Sequence, residues 1–265
     1  MLGSELLAGR TRAETGRPAV IRFSGKSILV DIEGTTSSIA FVFDVLFPYA
    51  RGELPGFLQA FWQDPEVVGA REQLARDAGA ESFRAWLPAG DAQALEQLAA
   101  EVLRLMDADA KTTGLKQLQG LIWRQGYGAG VLVSHVYADV PPALCAWKQA
   151  GLRLSVYSSG SAAAQQLFFA HTEHGDLSGL FEKHYDTTIG PKRDPKSYAR
   201  IADDRSLPPA ELLFLSDVPA ELDAARSAGL QTALVVRPGN PKLSDQPSHE
   251  CIADFTEIKI VPSER

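Results

Sequence analysis

An aliphatic run, Ser27-Ile28-Leu29-Val30, stops abruptly at Asp31 and is followed by Ile32, Glu33, Gly34, Thr35 and Thr36. Continuous Ile-Leu-Val reads as a strand buried on both faces, of the kind found in the middle of a parallel sheet. Fold stability asks for no carboxylate at the end of such a strand, because an unpaired buried charge is costly. Chemistry does ask for one: ligands bind at the carboxyl edge of an open α/β sheet. Three further stretches carry reactive types. Tyr157-Ser158-Ser159-Gly160-Ser161 places hydroxyls where a strand gives way to a helix, and hydroxyls beside N-terminal helix amides can cradle a phosphate. Leu213-Phe214-Leu215-Ser216-Asp217-Val218 ends another apolar run in an acid, with Glu221 and Asp223 a turn later. Thr188-Ile189-Gly190-Pro191-Lys192-Arg193-Asp194-Pro195-Lys196 is a turn-rich loop with two lysines. Each has a plainer reading. Asp and Gly form turns, Ser159 or Ser161 could cap a helix, Asp217 could do the same with first-turn acids complementing the dipole, and loop lysines are ordinarily solvated.

The elements that must position these groups are legible in outline. Apolar runs at Leu152–Tyr157, Glu211–Ser216 and Gln231–Val236 alternate with helical patterns at Ala162–Ala170 and Ala220–Ala228. Strands alternating with helices predict an α/β fold with a parallel sheet covered on both faces. The strand ending at Asp31 stands apart, since the next clear one begins more than a hundred residues later. Between them Glu72–Asp77, Ala92–Met106 and Thr113–Arg124 carry apolar residues at three- and four-residue steps, punctuated by Pro48, Pro55, Pro65, Pro88 and Gly114. A helical insert after the first strand would sit over the carboxyl edge of the sheet as a lid, excluding water and shaping substrate choice.

Composition narrows the class. The 265 residues suit one α/β domain with an insert. A net charge of −7 argues against a general nucleic-acid binder, which needs a basic face. An acidic protein that handles a phosphorylated metabolite must therefore supply positive charge locally, from a metal, a lysine or helix N-termini. Two cysteines, Cys145 and Cys251, with no C-x-x-C pair fit the reducing cytoplasm and leave no disulfide scaffold or cysteine zinc site. No apolar run reaches ~18 residues, so no membrane span is expected. Residues 1–26 lack the apolar core of a secretory signal and read as a loose N-terminal extension.

The order of the four stretches, an acid pair with Gly-Thr, then Ser-Ser-Gly, a lysine loop and Ser-Asp, resembles the haloacid dehalogenase-like hydrolases over roughly Ser27 to Val236. Within them, Asp31-Ile32-Glu33-Gly34-Thr35-Thr36, Ile39-Ala40-Phe41-Val42, Leu46-Phe47-Pro48-Tyr49, Leu115-Lys116-Gln117-Leu118-Gln119-Gly120, Tyr157-Ser158-Ser159-Gly160-Ser161 and Val235-Val236-Arg237-Pro238-Gly239-Asn240 resemble the enolase-phosphatases of methionine salvage. Most members of the wider superfamily carry Asp where this chain has Glu33. The resemblance implies a Rossmann-like core at 27–38 and 138–265 with a helical cap at 39–137. It implies Asp31 as a nucleophile forming an aspartyl-phosphate, and Mg²⁺ held by Asp31, the Glu33 carbonyl and Asp217. It places Ser158, Ser159 and Lys192 on the phosphoryl oxygens; Lys192 is preferred to Lys196 because the family's lysine follows an Ile-Gly-x triplet. Glu33 becomes the general acid and base. The implied reaction enolises 5-methylthio-2,3-dioxopentyl phosphate and removes its phosphate to give the acireductone, in a cytoplasmic monomer with neither nucleic-acid nor membrane partner.

Phosphate monoesters hydrolyse so slowly unaided that up to ~10²¹-fold acceleration is needed, and an in-line nucleophile with neutralised equatorial oxygens addresses that demand. The competing readings are a plain phosphatase acting on another small phosphorylated metabolite, a silent phospho-ligand binder, and a metal-free dehalogenase. The intact Asp31, Lys192 and Asp217 speak against the last two. His171 and His174 could meet on a helix face but lack a third ligand, and are expected at a surface or helix end. Trp123 is expected to pack within the lid, and Arg124 either to do the same or to face the cavity.

Overall fold

A computed structural model of the chain describes residues 20–242 and 248–262. Its main sheet has six parallel strands in the order β4-β3-β2-β5-β6-β7. They are β2 (Ser27–Val30), β3 (Arg153–Tyr157), β4 (Lys183–Tyr185), β5 (Leu212–Ser216), β6 (Gln231–Val235) and β7 (Glu250–Ile252). β2 lies between β3 and β5, with Ser27 in register with Arg153 on one side and Leu212 on the other, and all four of its residues are buried. Alternation sends Ile28 and Val30 to one face and Leu29 to the other. On the first face they join Leu154, Val156, Leu213 and Leu215 under Leu144 and Trp147 of α5 (Val140–Gln149) and Phe168 and Phe169 of α6 (Ala162–Ala170). On the second, Leu29, Phe214 and Leu234 pack on Tyr198 and Ile201 of α7 (Pro195–Arg205) and Leu222 and Ala225 of α8 (Pro219–Ser227).

Between β2 and α5 the chain is helical. A run that begins at Ile39–Phe41 widens to a π turn over Val42–Leu46 and continues as α1 (Phe47–Phe61). Then come α2 (Pro65–Asp77), a single turn at Phe83–Trp86, α3 (Asp91–Asp107) and α4 (Thr113–Gly128). A separate apolar cluster fills this segment, and its fully buried members all lie between Ala50 and Ile122. α2 and α4 approach closely at Gly114, where a Cβ would stand 2.5 Å from the Leu74 backbone nitrogen, and the Gly114 N–H donates to Asp77 Oδ2 at 2.7 Å. The prolines expected to break the segment partly start it instead. Pro65 opens α2 behind an Asp64 cap, as suits a residue with no N–H to lose, while Pro55 sits on the exposed side within α1.

One expectation needs correction. Residues 1–19 of the supposed loose extension lie outside the described residues, but Ile21–Phe23 is a strand, β1, paired in parallel with β8 (Ile258–Ile260). Phe23 is fully buried, and apolar burial of this kind ties a segment down. No helix among the described residues is long and apolar enough to cross a membrane.

At the end of the sheet away from the strands' carboxyl termini, Glu182 gathers three cations. It accepts from Arg205 Nη2 at 2.8 Å, Arg153 Nε at 3.1 Å and Lys148 Nζ at 3.3 Å. Burial works against its charge, but the Arg205 and Arg153 hydrogen bonds outweigh burial and bring its pKa down to about 2. A depressed carboxylate contributes stability above its ordinary value of 4.5 and loses it as pH falls towards 2. The Arg205 side chain is 1% exposed, so losing its partner leaves a buried charge. Glu182→Gln should therefore cost about 1–2 kcal/mol at pH 7 by urea unfolding, moderated by screening at the part-exposed carboxylate. The gap to wild type should close as pH falls from 4.5 towards 2; a gap independent of pH would refute the charge assignment.

Candidate active site

The β2 strand delivers Asp31 to the carboxyl edge of the sheet, where the Asp31 N–H still donates to Leu215 O at 3.0 Å. The chain then folds back on itself. Ile32 O accepts from the amides of Thr35, Thr36 and Ser37 at 3.2, 3.0 and 2.9 Å, and Thr36 Oγ1 donates to Asp31 O at 3.0 Å. Gly34 has φ +71°, and a Cβ there would lie 2.3 Å from Asp217 Oδ2. Only glycine combines that backbone region with that approach. The turn after β2 and the end of β5 thus meet face to face.

Lys192 joins them. Its Nζ lies 2.6 Å from Asp31 Oδ2 and 2.6 Å from Glu221 Oε2, with all three side chains nearly buried. Ser216 Oγ bridges the same two carboxylates at 3.3 and 3.1 Å and accepts from the Val218 N–H at 3.1 Å. Burial alone would lower the Lys192 pKa, but the charges of Asp31 and Glu221 overcome it and hold the lysine above its ordinary range. Burial raises Glu221, with repulsion from Asp31 adding to it and outweighing the attraction of Lys192. Burial first, then Asp31, pushes Asp217 up to about 7 and also raises Glu33.

The loop that carries Lys192 is held by four successive carbonyls. Ile189 O accepts from Arg200 Nη1 at 2.7 Å, Gly190 O from the Tyr157 hydroxyl at 2.8 Å, Pro191 O from Ser197 Oγ at 2.8 Å and Lys192 O from the Tyr198 hydroxyl at 2.7 Å. Lys196 is exposed, and its N–H donates to the Asp194 cap of α7.

At the next strand end, Ser158 is buried and its Oγ accepts from the Gly160 N–H at 3.3 Å. The first amides of α6 are already taken: Ala164 donates to Ser161 Oγ at 3.2 Å and Ala162 to Asp186 Oδ2 at 3.0 Å. Ser161 is therefore a cap, although it borders the same cavity as Ser158 and Ser159. That cavity, of about 480 Å³, is also lined by Glu33. The helical segment supplies its apolar wall, including Phe43, Leu46, Phe47, Leu115 and Trp123, and α6 adds Phe168. Asp31, Lys192 and Asp217 do not line this cavity, but both Asp31 and Lys192 act electrostatically on Glu33, which does. Lys116 reaches across from α4 and donates to Ser159 O at 3.1 Å and Thr187 Oγ1 at 3.3 Å.

Among the described residues no three His, Cys, Asp or Glu side chains are grouped to hold a metal. Two carboxylates and one carbonyl are the donor set on offer. Asp217 lies against the Asp31 turn, and among the described residues no donor bonds the Glu33 carbonyl. That set fits Mg²⁺, which takes one or two carboxylates and fills the remaining octahedral positions with waters and phosphate oxygens.

Other candidates resolve into structural roles. Arg124 is exposed and pairs with Glu66, so it does not face the cavity. Trp123 stacks on Phe47 and donates to Leu46 O at 2.9 Å while also lining the cavity. His171 Nδ1 lies 3.0 Å from Leu167 O, and His174 Nε2 3.1 Å from Val136 O. Sequence reasoning treated Glu221 as a first-turn helix acid. Its place in the first turn of α8, just after Asp217 at the end of β5, is the signal that both acids emerge near one site. Lys116 stands in a stretch that carries the resemblance but was given no role there, and Asp186 carried no signal.

Known proteins are similar to this chain over most of its length. A family model for haloacid dehalogenase-like hydrolases matches residues 26–229. Curated relatives named enolase-phosphatase E1 include one from Sorangium cellulosum, 49% identical over 88% of this chain and 97% of its own length. Another from Pseudomonas aeruginosa is 50% identical over 89% and 98%, and one from Drosophila simulans 47% identical over 88% and 92%. Among solved structures, the UTR4 protein of Saccharomyces cerevisiae superposes with a TM-score of 0.72 at 34% identity, covering 88% of this chain and 99% of that one. A dehalogenase matches at a TM-score of 0.51 and 16% identity, which speaks to fold alone.

Gly34→Ala tests the packing of the turn on Asp217. A left-handed alanine and a 2.3 Å clash should together cost about 1–3 kcal/mol by chemical denaturation. A loss below a few tenths would show that the turn can move away from Asp217.

Proposed function

Because this chain belongs to the haloacid dehalogenase-like hydrolases and, within them, to the enolase-phosphatases, we propose that it converts 5-methylthio-2,3-dioxopentyl phosphate to the acireductone and inorganic phosphate. The observation that carries the reading is the placement of Glu33. It lines the apolar-walled cavity, while Asp31, two residues earlier, is bonded to Lys192 beside it.

The residues divide the work. Phe43, Phe47, Leu115 and Phe168 offer the methylthio end a surface that soft sulfur packs against well. Ser158 and Ser159 bind phosphoryl oxygens at the mouth of α6, and Lys192 adds a fixed positive charge. Glu33, its pKa raised by burial, is a stronger base than a solvated carboxylate. It takes the proton from the carbon bearing the phosphate ester as the neighbouring ketone becomes an enol. Asp31 then attacks phosphorus in line, and Glu33 returns a proton to the departing bridging oxygen. Water hydrolyses the aspartyl-phosphate, with Glu33 as base. Asp31, the Glu33 carbonyl and Asp217 would hold Mg²⁺, which when bound neutralises charge on the phosphoryl oxygens. The helices between residues 39 and 137 act as the cap over this site. Two cysteines with no C-x-x-C pair support a reducing, cytoplasmic setting, and the chain is read as a monomer.

Incubation with the diketone phosphate and Mg²⁺ tests the reading, with enol absorbance and free phosphate followed together. Enol should appear before or with phosphate. Phosphate release from general esters, with no enol from the diketone, would assign an ordinary phosphatase instead. Asp31→Asn should leave the fold intact and reduce phosphate release by several orders of magnitude; turnover near wild type would sink the aspartyl-phosphate route. Glu33→Asp draws the carboxyl back by one methylene. It should keep hydrolysis of simple esters within about tenfold while enolisation falls by ~10²-fold or more. Equal losses in the two steps would show that another residue takes the carbon proton.

A further inference from the structure

The stretch Arg237-Pro238-Gly239-Asn240 follows β6 and touches neither the cavity nor the lysine, yet it is tied to the turn that carries Asp31 and Glu33. Asn240 Nδ2 donates to Gly34 O at 2.9 Å. Arg237 Nε donates to Thr35 O at 3.0 Å. The rest of the guanidinium is anchored: Nη1 and Nη2 each lie 2.9 Å from an Asp139 carboxylate oxygen, and Nη1 also donates to Ala253 O at 3.0 Å. Tyr137 and Phe255 flank its plane at 4.5 and 5.0 Å. Asp139 is fixed in turn by the Phe255 N–H at 2.8 Å.

Gly34 explains why such anchoring is needed. Glycine is demanded there by the approach of Asp217, and glycine is also the residue with most backbone freedom to lose. Peptide planes are rigid, so pinning a carbonyl orients its whole plane. Ile32 O accepts three amides before Gly34; after it, Gly34 O is held by Asn240, Thr35 O by Arg237 and Thr36 O by the Tyr137 N–H at 3.0 Å. Of the five carbonyls from Ile32 to Thr36, that of Glu33 is the one with no donor among the described residues. Fixing both flanks of Gly34 therefore fixes where the Glu33 carbonyl points.

We infer that Arg237 and Asn240 are positioning residues, which aim the Glu33 carbonyl, in the turn that lies against Asp217, at the place of a divalent cation. The inference rests on the reading of that carbonyl and Asp217 as Mg²⁺ ligands. Residues that orient ligands without touching the metal are worth about 10- to 100-fold in affinity.

The test uses the full chain and isothermal titration with Mg²⁺ alone, alongside unfolding curves and phosphate-release kinetics. Asn240→Ala, at a half-buried position, should weaken Mg²⁺ binding by about tenfold or more while Tm changes by only a few degrees. At saturating Mg²⁺ its KM should be that of wild type. Asn240→Gln, which retains the amide donor, should recover part of the lost affinity. Arg237→Lys keeps the charge but loses the fork, and should weaken Mg²⁺ binding further. Should Arg237→Lys fail to fold, the Asn240 pair decides alone. A folded Asn240→Ala with wild-type Mg²⁺ affinity, or one that loses kcat and stability but not affinity, would overturn the inference. Absence of Mg²⁺ binding by the wild type would overturn the inference and the ligand assignment with it, and is told apart because it needs no variant.

Discussion

A single ammonium group between two carboxylates organises this molecule. Lys192 sits 2.6 Å from both Asp31 and Glu221 in a nearly dry environment. Glu33 and Asp217 bring the nearby carboxyls to four around the buried Lys192, and burial lifts the pKa of Glu33, Asp217 and Glu221 alike. A buried ion pair is stable only where geometry is close and remaining polar atoms are bonded. The surroundings meet that condition, through Ser216 bridging the two anions and through four pinned carbonyls along the lysine loop. The excess of negative charge is also a specification. Such a site repels a phosphate dianion until cationic charge is supplied, and it favours a divalent cation for the same reason.

Chemistry and selectivity are contributed by different parts of the chain. The strand ends and the loops after them provide Asp31, Lys192 and the hydroxyls of Ser158 and Ser159, as expected at the carboxyl edge of a parallel sheet. The helical segment provides most of the cavity wall, and that wall is largely apolar. Glu33 links the two, as the carboxylate of the charged turn that lines the cavity. In the proposed reaction that one residue serves both the step on carbon and the step on phosphorus.

The long, strongly patterned elements were legible in the residues. Helix Ala162–Ala170 falls where its pattern placed it, and β3 and β5 match the runs at Leu152–Tyr157 and Glu211–Ser216 to within a residue. The three-residue strands β1, β4, β7 and β8 were not, because three residues cannot display a period of two. Their pairing is decided by partners distant in sequence. The same holds in the site. Asp31, Glu33 and Asp217 announce themselves by carboxylates at the ends of apolar runs. Glu221 could equally be a helix-dipole acid until the lysine loop is seen to reach it. Ser161 shows the reverse case, a hydroxyl in a suggestive motif whose oxygen is taken by a helix cap.

The position of the helical segment in the chain has a consequence for how the protein comes into being. β2 pairs only with β3 and β5, which lie more than a hundred residues further along. On the ribosome, a chain grown at about 5–20 residues per second exposes Ile28, Leu29 and Val30 for many seconds before either neighbour exists. The helices made in that interval bury a cluster of their own within residues 50–122 before the sheet exists, while Phe41, Val42, Leu46 and Tyr127 wait to pack against it. The cluster's contacts are local and form fast, whereas the sheet must await long-range closure. The strand that leads to Asp31 is thus the first of the main sheet to be made and among the last to find its place.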